Sequence, residues 1–432
     1  MKHAAKPVNA LVVGGGIVGL ACAIDLQRRG IATLVCDPAL PVRSASFGNA
    51  GHIAVEQVEP LAAPGALASL PRRLFSRGGA AAFPLRDIGA WLPFGCRLLS
   101  ASSPARFAAG TRALRSLLAE ALPAWQRLTQ LTGTSSMLVA DGHYIVWETA
   151  AGAHAGRESW SRADTGTARF QDLDRADLER LAALTGRAPA GGLRFSGTAR
   201  VRDPGLLHDA LAHAFEVMGG QWRRESVAKI PRDRGCAQVL LASGEKLRPD
   251  VVVVATGVAT GALLRPLGHC APLIAERGYH IQADAGDAWP DLPPVVFEER
   301  SMIVSRFTSG LRAAGFVEFS RMGSPPDARK WQRLRAHAEA LRLPFAGTVT
   351  EWMGARPTLP DYLPAVGRSR RADNLVYAFG HQHLGLTLAA ITGELVGAVA
   401  TGDSAALDLS PFDVERFGGD HLQPGLNPGV NE

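Results

Sequence analysis

From residue 10 onward the apolar positions alternate between strand-like runs and helix-like spacing. Ala10 to Val13 form a continuous apolar run, as in a strand buried on both faces, and lead into Gly14, Gly16 and Gly19. Ile17, Leu20, Ala21 and Ile24 then recur on one helical face, Gly30 closes the helix, Ile31 to Cys36 form a second apolar run, and Asp37 stands at its tip. The order predicts one βαβ unit over residues 8–37.

Further on the pattern is less uniform. Residues 113–128 (ALRSLLAEALPAWQRL) read as helix, 137–148 (MLVADGHYIVWE) as a strand-like run, and 204–218 as an amphipathic helix ended by Gly219 and Gly220. Short strands are predicted around 226–230 and 237–241, and a buried strand over Val251–Ala255 that ends at Thr256 and Gly257. RGYHIQA, VVFEE, MIVSRF and AAGFVEF, within 271–350, alternate like antiparallel strands with a turn at Ser309–Gly310. Residues 374–400 read as strand, glycine turn and long apolar helix.

The expected fold class is α/β, a discontinuous Rossmann-like domain plus an α+β lobe with an antiparallel sheet. Residues 1–54, 196–270 and 351–420 fall to the first, 55–195 and 271–350 to the second, and 421–432 to a loose tail.

The glycine spacing has a physical reason. Gly14 permits a tight turn, Gly16 lets backbone approach a pyrophosphate, and Gly19 lets the helix pack on its strand. The helix N-terminus offers N–H groups and partial positive charge to phosphates, and Asp37 can accept ribose hydroxyls. This points to a bound dinucleotide without separating a nicotinamide from a flavin. A nicotinamide enzyme usually keeps its Rossmann half contiguous, whereas an interrupted half is a flavoprotein arrangement.

At 432 residues the chain is long enough for two lobes. Cys22, Cys36, Cys96, Cys236 and Cys270 show no C-x-x-C pairing, which suits a cytoplasmic location. No continuous apolar run reaches the ~18 residues of a membrane span, and no signal peptide is read at the start. His381 and His383 lack further ligands nearby, so no metal is expected. The net charge of +6 rests on arginine, with five lysines, and no aromatic-interleaved basic patch suggests nucleic acid. Between Leu67 and Phe107, arginines 72, 73, 77, 86, 97 and 106 stand against one acid, Asp87, among Leu, Phe and Trp. Residues 67–107 fit either helices packed on the second lobe or peripheral contact with an anionic membrane.

Taken together, GGGIVGLACAIDLQRRG with Asp37, SASFGNAGHI (44–53), ATG (255–257), ERGYH (276–280), GLRAAGFVEF (310–319), GARPTLPDYLPAVG (354–367) and GHQHLGLTLAAITGELV (380–396) resemble the glycine/D-amino acid oxidase superfamily of FAD enzymes, specifically its D-amino acid dehydrogenase small-subunit family. The resemblance implies FAD, held at Gly14, Gly16, Ile17, Val18, Gly19, Asp37, Ser46, Gly48, Asn49, Ala50, Gly51, His52, Val227, Ala255, Thr256 and Gly257. Near the C-terminus it adds Gly380, His381, Gln382, His383, Leu384, Gly385, Leu386 and Thr387, where a helix N-terminus would face the flavin C2=O.

The resemblance also implies that Arg356 pairs with a substrate carboxylate, a match of guanidinium fork to carboxylate; the alternative is a structural ion pair. Tyr279, His280 and His383 join Arg356 as catalytic candidates, with Arg312 in the second rank. Glu56 and Glu59 could read a substrate amine or simply be surface carboxylates. The implied reaction is hydride transfer from a D-amino acid, possibly a cyclic one such as D-proline or hydroxy-D-proline, to FAD, with a quinone or dioxygen as acceptor. The alternatives are a sarcosine- or glycine-oxidase-like enzyme, or a FAD-bearing electron-transfer subunit.

Overall fold

The computed structural model describes residues 9–38, 44–64 and 73–418. The tail 421–432, the start of the chain and residues 65–72 of the arginine-rich segment lie outside the described residues. The fold is α/β, with the sheet of the nucleotide lobe gathered from distant parts of the chain. Its strand order is Gln221–Arg223, Ala32–Cys36, Asn9–Val13, Val251–Val254, Leu375–Phe379 and Ala365–Arg368. All neighbours are parallel except the last pair. Asn9–Val13 lies at the centre, with its sequence neighbour Ala32–Cys36 on one side and Val251–Val254 on the other, so the sheet reverses direction of growth there. Ligands of open α/β sheets bind at such a switch point.

The second sheet has nine strands. Ala346–Thr358, Ile274–Asp284, Gly310–Ser320 and Met302–Phe307 form its long antiparallel part. The domain boundary expected at residue 351 is therefore displaced. Arg356 pairs in register with Glu276 and Trp352 with His280, so the chain leaves this sheet only after Thr358.

Residues 113–128 also depart from expectation. They form parts of two helices, Pro104–Ala119 and Ala121–Leu131, and Pro123, lacking an N–H, sits in the first turn of the second. That second helix packs on Gly385–Thr401 rather than on the nine-stranded sheet. Buried Trp125 donates its indole N–H to Leu386 O at 2.9 Å, and both helices share one core with Ile17–Arg28. The run 137–148 divides at Gly142 (φ +85°), where a Cβ would meet Phe195 O at 1.9 Å. Leu138–Val139 joins a small sheet with His52–Ile53 and Ala199–Val201, and His143–Trp147 joins the large one. Helix Gly385–Thr401 is apolar enough, with the residues just before it, to cross a membrane, yet it is mostly buried as a core helix.

Candidate active site

The fingerprint turn packs as its glycines require. Gly14 has φ +103°, and a Cβ on it would meet Ala255 O at 2.5 Å; one on Gly19 would meet Gly14 O at 1.9 Å. Ala255 donates its N–H to Val13 O, Thr256 bonds Thr260 through their hydroxyls, and Gly257 has φ +57°, so the end of that strand lies against the turn. Gly16 precedes helix Ile17–Arg28, which has no side-chain N-cap; Ile17 is buried and Val18 partly so. Asp37 accepts from Gly15 N at 2.6 Å, and Ser46 Oγ accepts from Ile17 N at 3.3 Å. Val227 is half-buried, paired with Leu241 in a small separate sheet.

Two residues here escaped the sequence reading. His208 Nε2 lies 2.8 Å from Gly15 O, and the Trp222 ring lies against Gly15, where a Cβ would meet it at 2.6 Å. No periodic signal connects either to the turn; only the fold does.

Loop 46–51 is held by one face of the large sheet. Arg312 donates to Phe47 O (2.9 Å) and Asn49 O (2.6 Å), Ser305 Oγ donates to Ala50 O (2.7 Å), and His280 Nδ1 lies 3.2 Å from Gly48 O. Asn49 Oδ1 accepts from Gly51 N, and Gly51 (φ +75°) leaves no room for a side chain beside Phe307. Arg312 is 2 % exposed, and burial pulls its guanidinium down to about 10, against a raising influence from Asp203. Its polar contacts go to the loop and to Gln282, so Arg312 serves as the clamp of this loop rather than as a substrate ligand. His280 stacks on Trp352 (centroids 5.0 Å apart, 11° between planes), and burial together with Arg312 keeps it well below the usual histidine range. Facing a carbonyl, which only accepts, Nδ1 carries the proton of the neutral ring.

The same face carries Arg356. Its NH1 donates to Glu276 Oε1 at 3.3 Å, and the side chain keeps 27 % exposure. Glu276 Oε2 accepts from Thr358 Oγ1 (3.0 Å) and from the Tyr362 hydroxyl (3.1 Å). Gly278 provides the space, since a Cβ there would lie 2.4 Å from Arg356 NH2. Arg356 is thus in an ion pair and still partly exposed.

Tyr279 is a correction. In a strand, neighbouring side chains point to opposite faces, and Tyr279 points away from Glu276, Gly278 and His280. It lies 1 % exposed against Trp331, its hydroxyl 3.3 Å from Glu318 and 3.0 Å from Arg277. It cannot touch a ligand held by Arg356.

Beside this face is the start of helix Gly385–Thr401, which also lacks a side-chain N-cap. Gly380 (φ +78°) makes the turn. His381 is buried, bonded to Thr392 at 3.0 Å, and burial lowers it to about 3. Gln382 adopts φ +47°, donates to Tyr362 O, and keeps a buried Oε1 with no partner among the described residues. His383 Nε2 lies 2.5 Å from Gln57 Oε1; burial lowers the ring to about 4, with Glu276 and Glu56 raising it and Arg356 lowering it. Leu384 and Leu386 are buried apolar side chains, a Cβ on Gly385 would make only ordinary contact, and Thr387 Oγ1 accepts from Ala54 N. The expected surface carboxylates divide: Glu59 is exposed, whereas Glu56 is 3 % exposed and bonded to His52 at 3.1 Å.

Two helix starts whose own N-cap residues supply no side-chain cap, glycines whose Cβ atoms would fill the turn, and unpartnered buried polar atoms at Trp222 Nε1 and Gln382 Oε1 fit an extended dinucleotide. A dinucleotide-dependent oxidoreductase is the class this arrangement defines. The family model for FAD-dependent oxidoreductases (DAO) matches residues 9–399, and the chain belongs to that family. FAD is therefore its cofactor. The chain is 29 % identical to a D-amino-acid oxidase of Bradyrhizobium diazoefficiens over 95 % of its length and 99 % of the relative's. Its fold is similar to iminodiacetate oxidase from Chelativorans sp. BNC1 (TM-score 0.70, 20 % identity, 94 % of this chain and 98 % of the other). It is also similar to glycine oxidase from Geobacillus kaustophilus (TM-score 0.68, 19 % identity, 96 % and 100 %).

Proposed function

We propose that this enzyme oxidises the carbon between an amine and a carboxylate, with a D-amino acid, acyclic or cyclic, as substrate. The observation that carries the reading is Arg356: a partly exposed guanidinium, held from one side by Glu276 and placed over Gly278. The D-amino-acid oxidase relative supports the choice of substrate. FAD, when bound, supplies a hydride acceptor, so the protein contributes positioning rather than a nucleophile. Arg356 fixes the carboxylate, and Glu276, braced by Thr358 and Tyr362, fixes Arg356. His280, neutral and stacked on Trp352, supports the 46–51 loop, for which the proposed partners are the pyrophosphate and ribityl chain. An acyclic imino acid released from the site is hydrolysed by water to the keto acid and ammonia.

Arg356→Ala should raise KM for D-alanine or D-proline by the equivalent of ~2–5 kcal/mol, the usual loss on truncating one partner of a buried charge pair. An unchanged KM would make Arg356 structural and sink the reading. Adding oxygen or a quinone to the photoreduced enzyme identifies the acceptor.

A peripheral membrane contact belongs to the same proposal. Helix Ile88–Ala101 turns Trp91, Phe94 and Leu98 toward Phe319, while Leu85, Ile88, Leu92 and Leu99 form a solvent-facing stripe. Arg86, Arg97 and Arg106, exposed in the same segment, supply cations that an anionic lipid surface could meet. Absence of co-flotation with anionic liposomes would remove this element.

A further inference from the structure

Among the carboxylates around the site, Glu276 has both oxygens engaged. Glu56 does not. Its Oε1 lies 3.1 Å from His52 Nε2 and 4.0 Å from His143 Nε2, while its Oε2 is buried without a partner among the described residues. His143 is itself fixed, its Nδ1 3.1 Å from Thr198 Oγ1 and its ring stacked on Phe195. The carboxylate therefore sits in a rigid frame. It also sits in the right neighbourhood, because His52 follows the 46–51 loop directly and Gln57 touches His383, which feels the charges of Glu56, Glu276 and Arg356 together. A buried anionic oxygen with no donor carries a desolvation cost that a ligand can relieve.

Resting on the amino-acid reading above, we infer that Glu56 Oε2 accepts a hydrogen bond from the protonated nitrogen of the substrate. Glu56 is then the anionic counterpart of Arg356, and the pocket selects carboxylates that carry a charged primary or secondary amine. A divalent cation is the competing occupant, since ligand atoms of His52, Glu56 and His143 lie within 4.8 Å of one another. Two features disfavour it. The 3.1 Å contact places a proton between His52 Nε2 and Glu56, and His52 Nδ1 has no partner, whereas a ligating histidine ordinarily has its second nitrogen held.

The test uses FAD-loaded enzyme and two ligands that cannot be oxidised at an amine-bearing carbon, α-aminoisobutyrate and isobutyrate, read by perturbation of flavin absorbance. They differ only in the nitrogen. The wild type should bind α-aminoisobutyrate about 10- to 100-fold more tightly, as one charge-assisted hydrogen bond allows. Glu56→Gln should collapse that ratio toward one, and Glu56→Asp should restore part of it. Arg356→Ala should weaken both ligands alike and keep the ratio. Because the ratio is taken within each protein, general damage to a variant cancels. A ratio that survives Glu56→Gln overturns the inference and leaves the amino-acid reading standing. Failure of both ligands to perturb the wild-type flavin overturns that reading, and the inference with it. Stoichiometric zinc in the wild type that is lost in Glu56→Gln replaces the amine with a metal.

Discussion

The two faces of strand Ile274–Asp284 use charge in opposite ways. On the inner face Arg277, Tyr279, Glu318 and Lys330 bond to one another, and only Arg277 Nε is left without a partner among the described residues. Arg277 and Lys330 both reach Glu318, Lys330 at 2.5 Å, and Lys330 also reaches Asp327 at 2.9 Å, with Arg277, Glu318 and Lys330 fully buried. On the outer face Glu276 is satisfied, but Arg356 keeps part of its guanidinium exposed, and Glu56 on a neighbouring segment keeps an oxygen with no partner among the described residues. Charges that pair with one another in full burial hold structure, and a partly exposed cation is available to a ligand. The contrast separates residues that sequence alone groups together, since ERGYH supplies both.

The largest effect should come from opening the closed side. Glu318→Ala leaves two buried cations without their shared anion and should cost ~3–5 kcal/mol in urea unfolding. A loss below 1 kcal/mol would mean that water reaches the network.

Acid should reach the outer face first. Burial, the leading cause, lowers His383 to about 4, so the folded protein binds fewer protons there than the unfolded chain. Its contribution is whole above about pH 6.5 and is lost toward pH 4 at about 1.4 kcal/mol per pH unit. Asp327 is lowered for the opposite reason: bonds from Arg329 and Lys330 favour its charged form, outweigh burial and hold it far below the carboxylate range. Its contribution, present above about pH 4, is lost only in stronger acid. Stability measured against pH should therefore fall less steeply between 6.5 and 4 in His383→Gln than in the wild type; equal slopes would contradict this order.

Gly278→Ala places a methyl where Arg356 NH2 now lies. The fold should survive, because a flexible side-chain end can shift, while KM rises by the equivalent of ~1–3 kcal/mol. Tyr279→Phe should do the reverse on a smaller scale: about 1 kcal/mol of stability and no change in KM. A KM effect would return Tyr279 to the pocket.

Much of the nucleotide lobe was legible in the chain, because a βαβ unit is a local object: spacing of apolar residues, glycines and one acid fall within 30 positions. ATG at 255–257 and GHQHLG at 380–385 were legible for the same reason, each at a strand end. His208, Trp222 and His143 were not, since they meet their partners only after chain segments 55 to 207 residues apart have come together. The side on which Tyr279 lies is legible in the sequence as well. Period-two alternation already puts it opposite His280, and Glu276 and Gly278, four and two positions before His280, share the ligand face. Glu56 looked like a surface acid because nothing nearby in sequence announces that His52 bends back to cover it and that His143 closes the frame.

The discontinuous sheet also sets a timetable for synthesis. Strand Val251–Val254 finds its outer neighbour only when Leu375–Phe379 emerges, about 120 residues later. At 5–20 residues per second that is roughly 6–24 s during which four consecutive valines present an unpaired edge. For that interval the nascent chain is a template for foreign strands, and the yield of active enzyme in a cell becomes a race between the ribosome and aggregation, which a chaperone covering that edge would tilt.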